Sequence, residues 1–421
     1  MRAIPAAIAG ALLCAPAVAS AFETSDALTW PDQGLFPAYQ MQAPGRPVRL
    51  FVSGGLYHDS NLFRLSDGAN TQALLGTTER SDTVGRVGLG LKADLRRSRQ
   101  ELLLDVRADD YRFHRFDFLD YTGYRAGATW KWQAGEDWGG DLGYQEQRSL
   151  APFGELQAAI KDLTTSRHAF LAARRRLSPE WQLRGGLDWT RYEHSNDLLA
   201  SAENRTTAVT LGADHFTPQG NSVGAQLVGS EGVYPNRQVV AGSMIDNRYR
   251  ELEASAVVNW QVGGKTRTRA RIGYTARRHD QIGERDFHGA TGRLDFAWTP
   301  GAKTILDFAA WRELRSIEDT LASYVLSEGV SIGPRWAPTP AVVAQATLFH
   351  ERRDYQGDPG FVLSSGPRRV DTLHGGRLAF GYSPRRFLRV SLSLEHGTRD
   401  SNFAGGDYAY NLVSANARFL F

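Results

Sequence analysis

Leu252-Glu253-Ala254-Ser255-Ala256-Val257-Val258-Asn259-Trp260-Gln261-Val262 is two sequences interleaved. Leu252, Ala254, Ala256, Val258, Trp260 and Val262 fall on one parity, and Glu253, Ser255, Asn259 and Gln261 on the other. A period of two sends successive side chains to opposite faces of a strand, whereas a helix gathers its neighbours at three and four. The design recurs at 87–95, where Val87, Leu89, Leu91, Ala93 and Leu95 oppose Gly88, Gly90, Lys92 and Asp94. At 388–395, Leu388, Val390, Leu392 and Leu394 oppose Arg389, Ser391, Ser393 and Glu395.

Reversals punctuate these runs. Short turns are expected near 98–100, 135–137, 178–180, 217–220, 263–264, 300–302, 338–340 and 383–385, where Gly, Pro and small polar residues collect. Between consecutive short turns lie longer polar stretches near 59–82, 112–121, 150–164, 195–204, 233–247, 279–287, 316–323, 354–368 and 400–407. Strict alternation of short and long connections is the plan of an outer-membrane barrel, with short periplasmic turns and long external loops. The expected fold class is therefore all-β, a transmembrane antiparallel up-and-down β-barrel of about 18 strands over residues 47–421, with sixteen and twenty as the neighbouring solutions.

The composition agrees. Aromatics make up 11% of the chain and Gly is abundant at 43 residues, yet mean hydropathy is −0.39 and no apolar run after the N-terminus is long enough for a membrane helix. A polar average suits a wall that meets lipid on one face and water on the other. A net charge of +3 is too small to imply nucleic acid. Met1-Arg2, an apolar stretch from Ala3 to Ala15 and Ala19-Ser20-Ala21 read as a secretory leader, residues 1–21. The apolar stretch is short for a membrane anchor. Cys14, the only cysteine, falls inside that leader and follows Leu13 rather than the small residue a lipid anchor wants. A mature chain without cysteine excludes a disulfide scaffold, a thiolate metal site and a cysteine nucleophile. Residues 22–46, with Trp30-Pro31-Asp32, are expected to be an irregular periplasmic segment.

Trp130, Trp132, Trp138, Trp181, Trp189, Trp260, Trp298, Trp336, Phe380 and Tyr382 share the apolar parity, and two interfacial girdles are expected from them. Val413, Ala415, Ala417, Phe419 and Phe421 alternate outward to the final phenylalanine. Phe419 and Phe421 resemble the signal read by the barrel-assembly machinery.

Side chains cannot fill a barrel this wide, so the inward parity should line water. It carries Arg125, Lys131, Arg184, Arg293, Arg377 and Arg389, with Arg86, Lys92, Arg107 and Arg174. The densest strand holds Arg267, Arg269, Arg271 and Arg277 on one face, opposite Thr268, Ala270, Ile272 and Tyr274. Acids share the inward parity: Asp94, Asp105, Asp109, Asp141, Asp188, Glu253, Asp295, Asp307 and Glu395. A guanidinium ladder either lowers the barrier to carboxylates and other anions or braces the wall by pairing with those acids. Both readings stay open. No phosphate loop, metal-ligand spacing or nucleophile elbow is present, so no cofactor or metal is expected, and the chain does not read as an enzyme. His58-Asp59-Ser60 is consecutive, and adjacent strand residues face opposite ways, so it cannot converge as a catalytic set. His374 and His396 lie on the outward parity near strand ends.

The run Phe51-Val52-Ser53-Gly54-Gly55-Leu56-Tyr57-His58-Asp59-Ser60-Asn61-Leu62-Phe63-Arg64, with Ser81-Asp82-Thr83-Val84 and Gly88-Leu89-Gly90-Leu91, resembles EpsL-type barrels over roughly residues 47–120. Those barrels accompany exopolysaccharide biosynthesis, often beside exosortase systems. The resemblance implies an outer-membrane component of polysaccharide export that meets a polysaccharide chain and the export proteins. It brings no functional residues of its own. Strand count and basic lumen also look like alginate-export porins, a likeness of fold alone. The alternatives are a porin-like uptake channel for small anions or sugars and a barrel lipid hydrolase. In each case the partners are outer-membrane lipids and the compartment is the Gram-negative outer membrane.

Overall fold

A computed structural model describes residues 47–236, 238–240, 243–281, 283–315, 324–356 and 368–421. The leader and periplasmic segment expected over 1–46 lie outside the described residues. In chain order the strands are β1 (Val48–Asp59), β2 (Asp82–Arg97), β3 (Gln100–Phe113), β4 (Tyr121–Ala134), β5 (Trp138–Leu150) and β6 (Leu163–Arg176). Then come β7 (Trp181–His194), β8 (Asn204–Phe216), β9 (Ser222–Val233), the small hairpin of β10 (Gln238–Val240) and β11 (Ser243–Ile245), β12 (Tyr249–Val262) and β13 (Thr266–His279). The last are β14 (Phe287–Gly301), β15 (Thr304–Arg315), β16 (Val325–Thr339), β17 (Val342–Asp354), β18 (Val370–Arg385), β19 (Leu388–Ser401) and β20 (Tyr408–Leu420).

Apart from the hairpin, the strands form one 18-stranded sheet in which each pairs antiparallel with its chain neighbours. β20 pairs with β1 from Phe51↔Leu420 to Asp59↔Leu412, so the sheet closes on itself. The period-two pattern fixes the register: a slip of one residue would turn every leucine inward and every arginine into lipid. Three turns fall later than the Pro signals imply. β14, β16 and β18 run on to Gly301, Thr339 and Arg385 because Pro300, Pro338 and Pro384 sit where the register shifts, at Trp298/Gly301, Trp336/Thr339 and Tyr382/Arg385. Proline lacks an N–H to give the ladder, so an irregularity is where a strand tolerates it.

The outer surface is apolar through its middle; Val87, Leu89, Leu187, Ile272 and Leu348 all stand exposed. Its two ends differ. The expected aromatic positions, Trp189 apart, lie in the short-turn half of their strands and make one periplasmic ring. The second girdle is sparse, with Tyr124, Tyr144, Trp189 and Tyr274 toward the loop end. Beyond them the outward parity turns basic: Arg112, Arg148, Arg167, Arg191, Arg205, Arg250, Arg278, Arg312 and Arg352 all occur within the five strand residues nearest the loops. Sequence parity places these arginines correctly, but the girdle expectation passes over them.

Inside, the loop end is not a plain aqueous cylinder. Tyr57, Leu62, Phe63, Leu65, Val84, Tyr111, Phe113, Phe116, Leu119, Tyr121, Leu150, Phe153, Tyr408, Tyr410 and Leu412 form one buried cluster. It is built from the inward faces of β1–β5 and β20 and from the connections 60–81, 114–120 and 151–162. The fixed inward parity of an eighteen-strand wall leaves a space, and these loops fold back into it because their own apolar residues have nowhere else to escape water.

Candidate functional site: the charged lumen

Phe63 is fully buried and meets Phe116 and Phe153 edge-to-face, with ring centroids 4.8 and 4.7 Å away. The segment Asp59–Leu65 locks itself in place. The backbone N–H of Asn61 donates to Asp59 Oδ1 at 2.9 Å. The Asn61 amide donates to Leu65 O at 2.8 Å and accepts from Leu65 N at 3.0 Å. Arg64 holds a left-handed φ of 54°, pairs with Asp59 at 2.8 Å and lies 3.8 Å over the Tyr410 ring. Asp82 accepts from the backbone N–H groups of Arg115 and Phe116 at 2.9 and 3.0 Å, which fastens the second loop to the first. Tyr57, Leu62, Phe63 and Val84 thus build the loop core, while Asp59, Asn61, Arg64 and Asp82 brace it. His58, Asp59 and Ser60 do not converge: His58 is exposed and bonds Thr83, Asp59 is buried against Arg64, and Ser60 accepts from Asn411 N.

The third loop crosses the lumen. Its short helix Phe153–Leu156 presents Glu155 to the wall made by β17–β19, six to eight strand positions around the sheet from β5. Glu155 accepts from Arg353 at 2.8 Å and from the Tyr355 hydroxyl at 3.1 Å, and lies 3.8 and 3.9 Å from Arg369 and Arg399. Arg399 also donates to Gly154 O at 2.6 Å. Behind them Asp371 accepts from Arg369 at 2.7 Å and Ser401 at 2.6 Å, and Glu351 binds Arg353 and Arg315, both at 3.1 Å. Burial drives the Tyr355 hydroxyl pKa well up, with the carboxylates of Glu155 and Asp371 adding to it, so Tyr355 stays a donor. Sequence reading missed this anchor. Arg353, Arg399 and Asp371 are visible as inward parity, but nothing local in Glu155 marks a partner 198 residues away.

The structure places every expected lumen cation on the inner face, and it divides them. Arg271 is clamped between Glu253 and Glu313, each at 2.6 Å. Arg277 pairs with Glu251 at 2.8 Å and stacks on Tyr249 and Tyr324. Arg184 holds Asp214 at 2.6 Å, Arg293 holds Asp295 at 3.0 Å, Lys131 lies 3.5 Å from Glu101, and Arg377 lies 3.9 Å from Glu395. Arg267 and Arg269 stand exposed toward the periplasmic end of the lumen, and no carboxylate among the described residues pairs with them. Arg125 likewise has no ion pair among the described residues. Bracing thus describes Arg271 and Arg277, while Arg267 and Arg269 on the same strand carry no ion pair among the described residues.

Across the lumen, below the loop core, lies a cavity of about 380 Å³ lined by Arg49, Lys92, Arg125, Arg389 and Arg418, with Asp94 and Asp105 as its acids. Lys92 and Asp105 neutralise each other at 2.9 Å. Arg389 and Arg418 are register neighbours, both inward, and Arg418 lies 4.9 Å from the centre of the Phe51 ring. Arg49 and Arg418 share the parity that exposes the others, so parity alone would have found them. Gly88 and Gly90 are wall residues: a Cβ on Gly88 would meet Asp109 Oδ1 at 2.0 Å, and one on Gly90 the Phe51 ring at 2.3 Å.

A closed 18-stranded barrel with an apolar belt and a charged interior defines a porin-like protein of the Gram-negative outer membrane. Residues 246–421 match the model of the family described as "Putative beta-barrel porin 2". Similar solved structures include Pseudomonas aeruginosa OpdK with vanillate, 10% identical, covering 89% of this chain and 99% of that one at a TM-score of 0.49. Another is Pseudomonas aeruginosa OccK2 (OpdF) in complex with glucuronate, 10% identical over 89% and 98% at 0.48. A third, Pseudomonas aeruginosa OprD, is 10% identical over 91% and 96% at 0.46. None of the curated proteins matches this chain.

Proposed function

We propose that this barrel is a diffusion channel for small organic anions, carboxylates above all. The observation that carries the reading is the placement of Arg267 and Arg269, exposed in the lumen without an ion pair among the described residues, across from a cavity lined with cations. A planar, permanently charged guanidinium can release one carboxylate to the next, so rungs at strand spacing lower the barrier without a deep trap. The cavity volume is at the small end of ligand pockets. An interior crossed by the third loop favours compact solutes over an extended polymer. The polysaccharide-export reading has its support in the resemblance over 47–120, where Phe63, Val84 and their neighbours pack in the loop core.

Purified protein in planar bilayers under a salt gradient tests the proposal. The expected reversal potential is that of an anion-preferring pore, and Arg267→Gln with Arg269→Gln should move it toward zero. An unchanged potential, or the absence of any ion current, would overturn it. Unchanged growth on small carboxylates together with lost secreted polysaccharide in a deletion strain would return the export reading.

A further inference from the structure

The outer face of β5–β8 carries an arrangement that a lipid-facing wall has no use for. Glu146, Arg167, Arg191 and Arg205 are successive register partners across four strands, all on the outward parity. Three arginines thus stand abreast at strand spacing, roughly 5 Å apart, and like charges directly opposite one another repel. Arg148, exposed, stands nearby on β5, two positions along from Glu146. The carboxylates answer only part of this charge. Arg167 is held by Glu146 at 3.2 Å and by Glu193, and Arg191 reaches Glu193 at 2.6 Å. Arg148 and Arg205 are exposed and have no ion pair among the described residues.

Arginine on a barrel's lipid side is tolerated only near an interface, and the two interfaces here are built differently. The periplasmic rim carries a tryptophan ring with few arginines, Arg97 and Arg175 among them, whereas nine outward arginines crowd the loop-end rim. That asymmetry matches a bilayer whose two leaflets have different headgroups. Arginine rather than lysine suits phosphate, because its planar fork binds phosphate oxygens in pairs. We propose that Arg148, Arg167, Arg191 and Arg205 form a docking surface for a phosphorylated glycolipid of the outer leaflet, its acyl chains lying on the apolar wall below and its phosphates bridging the guanidinium groups.

The test uses the full barrel in detergent micelles, with bis-phosphorylated lipid A and lipid A stripped of both phosphates as probes, read by native mass spectrometry. The native protein is expected to prefer the phosphorylated probe. Arg148→Gln/Arg191→Gln/Arg205→Gln should weaken that binding by roughly ten-fold or more, as loss of charge-assisted hydrogen bonds requires, and leave the stripped probe unaffected. Arg97→Gln/Arg175→Gln, at the periplasmic end, should change neither. Equal binding of the two probes, or undiminished binding by the triple variant, would overturn the proposal. So would displacement of the lipid by inorganic phosphate at matched ionic strength, which would mark a free-anion site. Should the triple variant fail to fold, Arg205→Gln, which has no protein carboxylate to strand, must still weaken the phosphorylated probe; an unchanged affinity overturns the proposal.

Discussion

Arg271 and Arg293 face each other directly across β13 and β14, both pointing inward. Such a pair of like charges is stable only because Glu253, Glu313 and Asp295 interleave with it; Glu313 reaches Arg271 at 2.6 Å and lies 3.8 Å from Arg293. Arg267, two rungs nearer the periplasm, has no such counterpart. The same substitution should therefore act differently at the two sites. Arg271→Gln strands the largely buried Glu253, leaves Glu313 only its 3.8 Å contact with Arg293, and is expected to destabilise the barrel toward the low end of the about 3–5 kcal/mol typical of breaking a buried pair, with little effect on ion selectivity. Arg267→Gln should change stability by less than about 0.5 kcal/mol, as exposed substitutions do. Guanidinium unfolding followed by heat-modifiable gel mobility checks both. Equal destabilisation by the two would show that the ladder acts as one structural unit. This division was half legible in the sequence. Parity puts all four arginines in the lumen, but pairing depends on which acid lies beside each one, and that needs the register of three strands at once.

The third loop shows where legibility stops at the scale of an element. Its limits follow from the alternation of turns, and its course does not, since Glu155 finds Arg353, Arg369 and Arg399 only after the wall has closed. Its C-terminal end is pinned by Asp162, which accepts from His194 Nδ1 at 2.6 Å and from the backbone N–H groups of Ser195 and Asn196 at 2.8 and 2.9 Å. Burial pushes the Asp162 carboxyl pKa up, but the hydrogen bond and charge of His194 and the backbone donors outweigh it and hold it below the usual value. A depressed carboxylate pKa stabilises the fold above the unfolded value of about 3.9 and loses that contribution as pH falls through the folded value. Titrating single-channel recordings downward past the unfolded value of about 3.9 should therefore increase loop-driven current flicker as the carboxylate takes up its proton, and Asp162→Asn should show that flicker already at neutral pH. A flat response in both would mean that this pin does not hold the loop. Glu155→Gln, which leaves three arginines facing a neutral group, should raise the open-channel conductance and expose the loop to trypsin at Lys161. Unchanged conductance and proteolysis would place the crossing loop outside the ion path.

At the scale of the whole molecule, the closure of the sheet is its least local event. β1 must find β20 across nearly the full chain, and their nine register pairs, Phe51–Asp59 with Leu412–Leu420, are fewer than the twelve that join β1 to β2. Closing a loop of that length costs more entropy than forming any hairpin, and until closure both strands present unpaired edges. Fold class and strand number were readable because each hairpin repeats one local rule. The seam obeys no local rule, so its formation needs help that the hairpins do not. Phe419 and Phe421 point outward and are exposed beside the seam, while Phe421 N donates to Leu50 O at 2.8 Å on the first strand. Neither ring packs in the buried core, so removing them should leave the stability of an assembled barrel nearly intact while impairing delivery and closure. Phe419→Ala/Phe421→Ala is expected to lower the fraction of heat-modifiable barrel in outer membranes several-fold, with the unfolding midpoint of the assembled remainder unchanged. Normal assembly by the double variant would remove these rings from the assembly signal. A lowered midpoint with normal assembly would reassign them to packing at the seam.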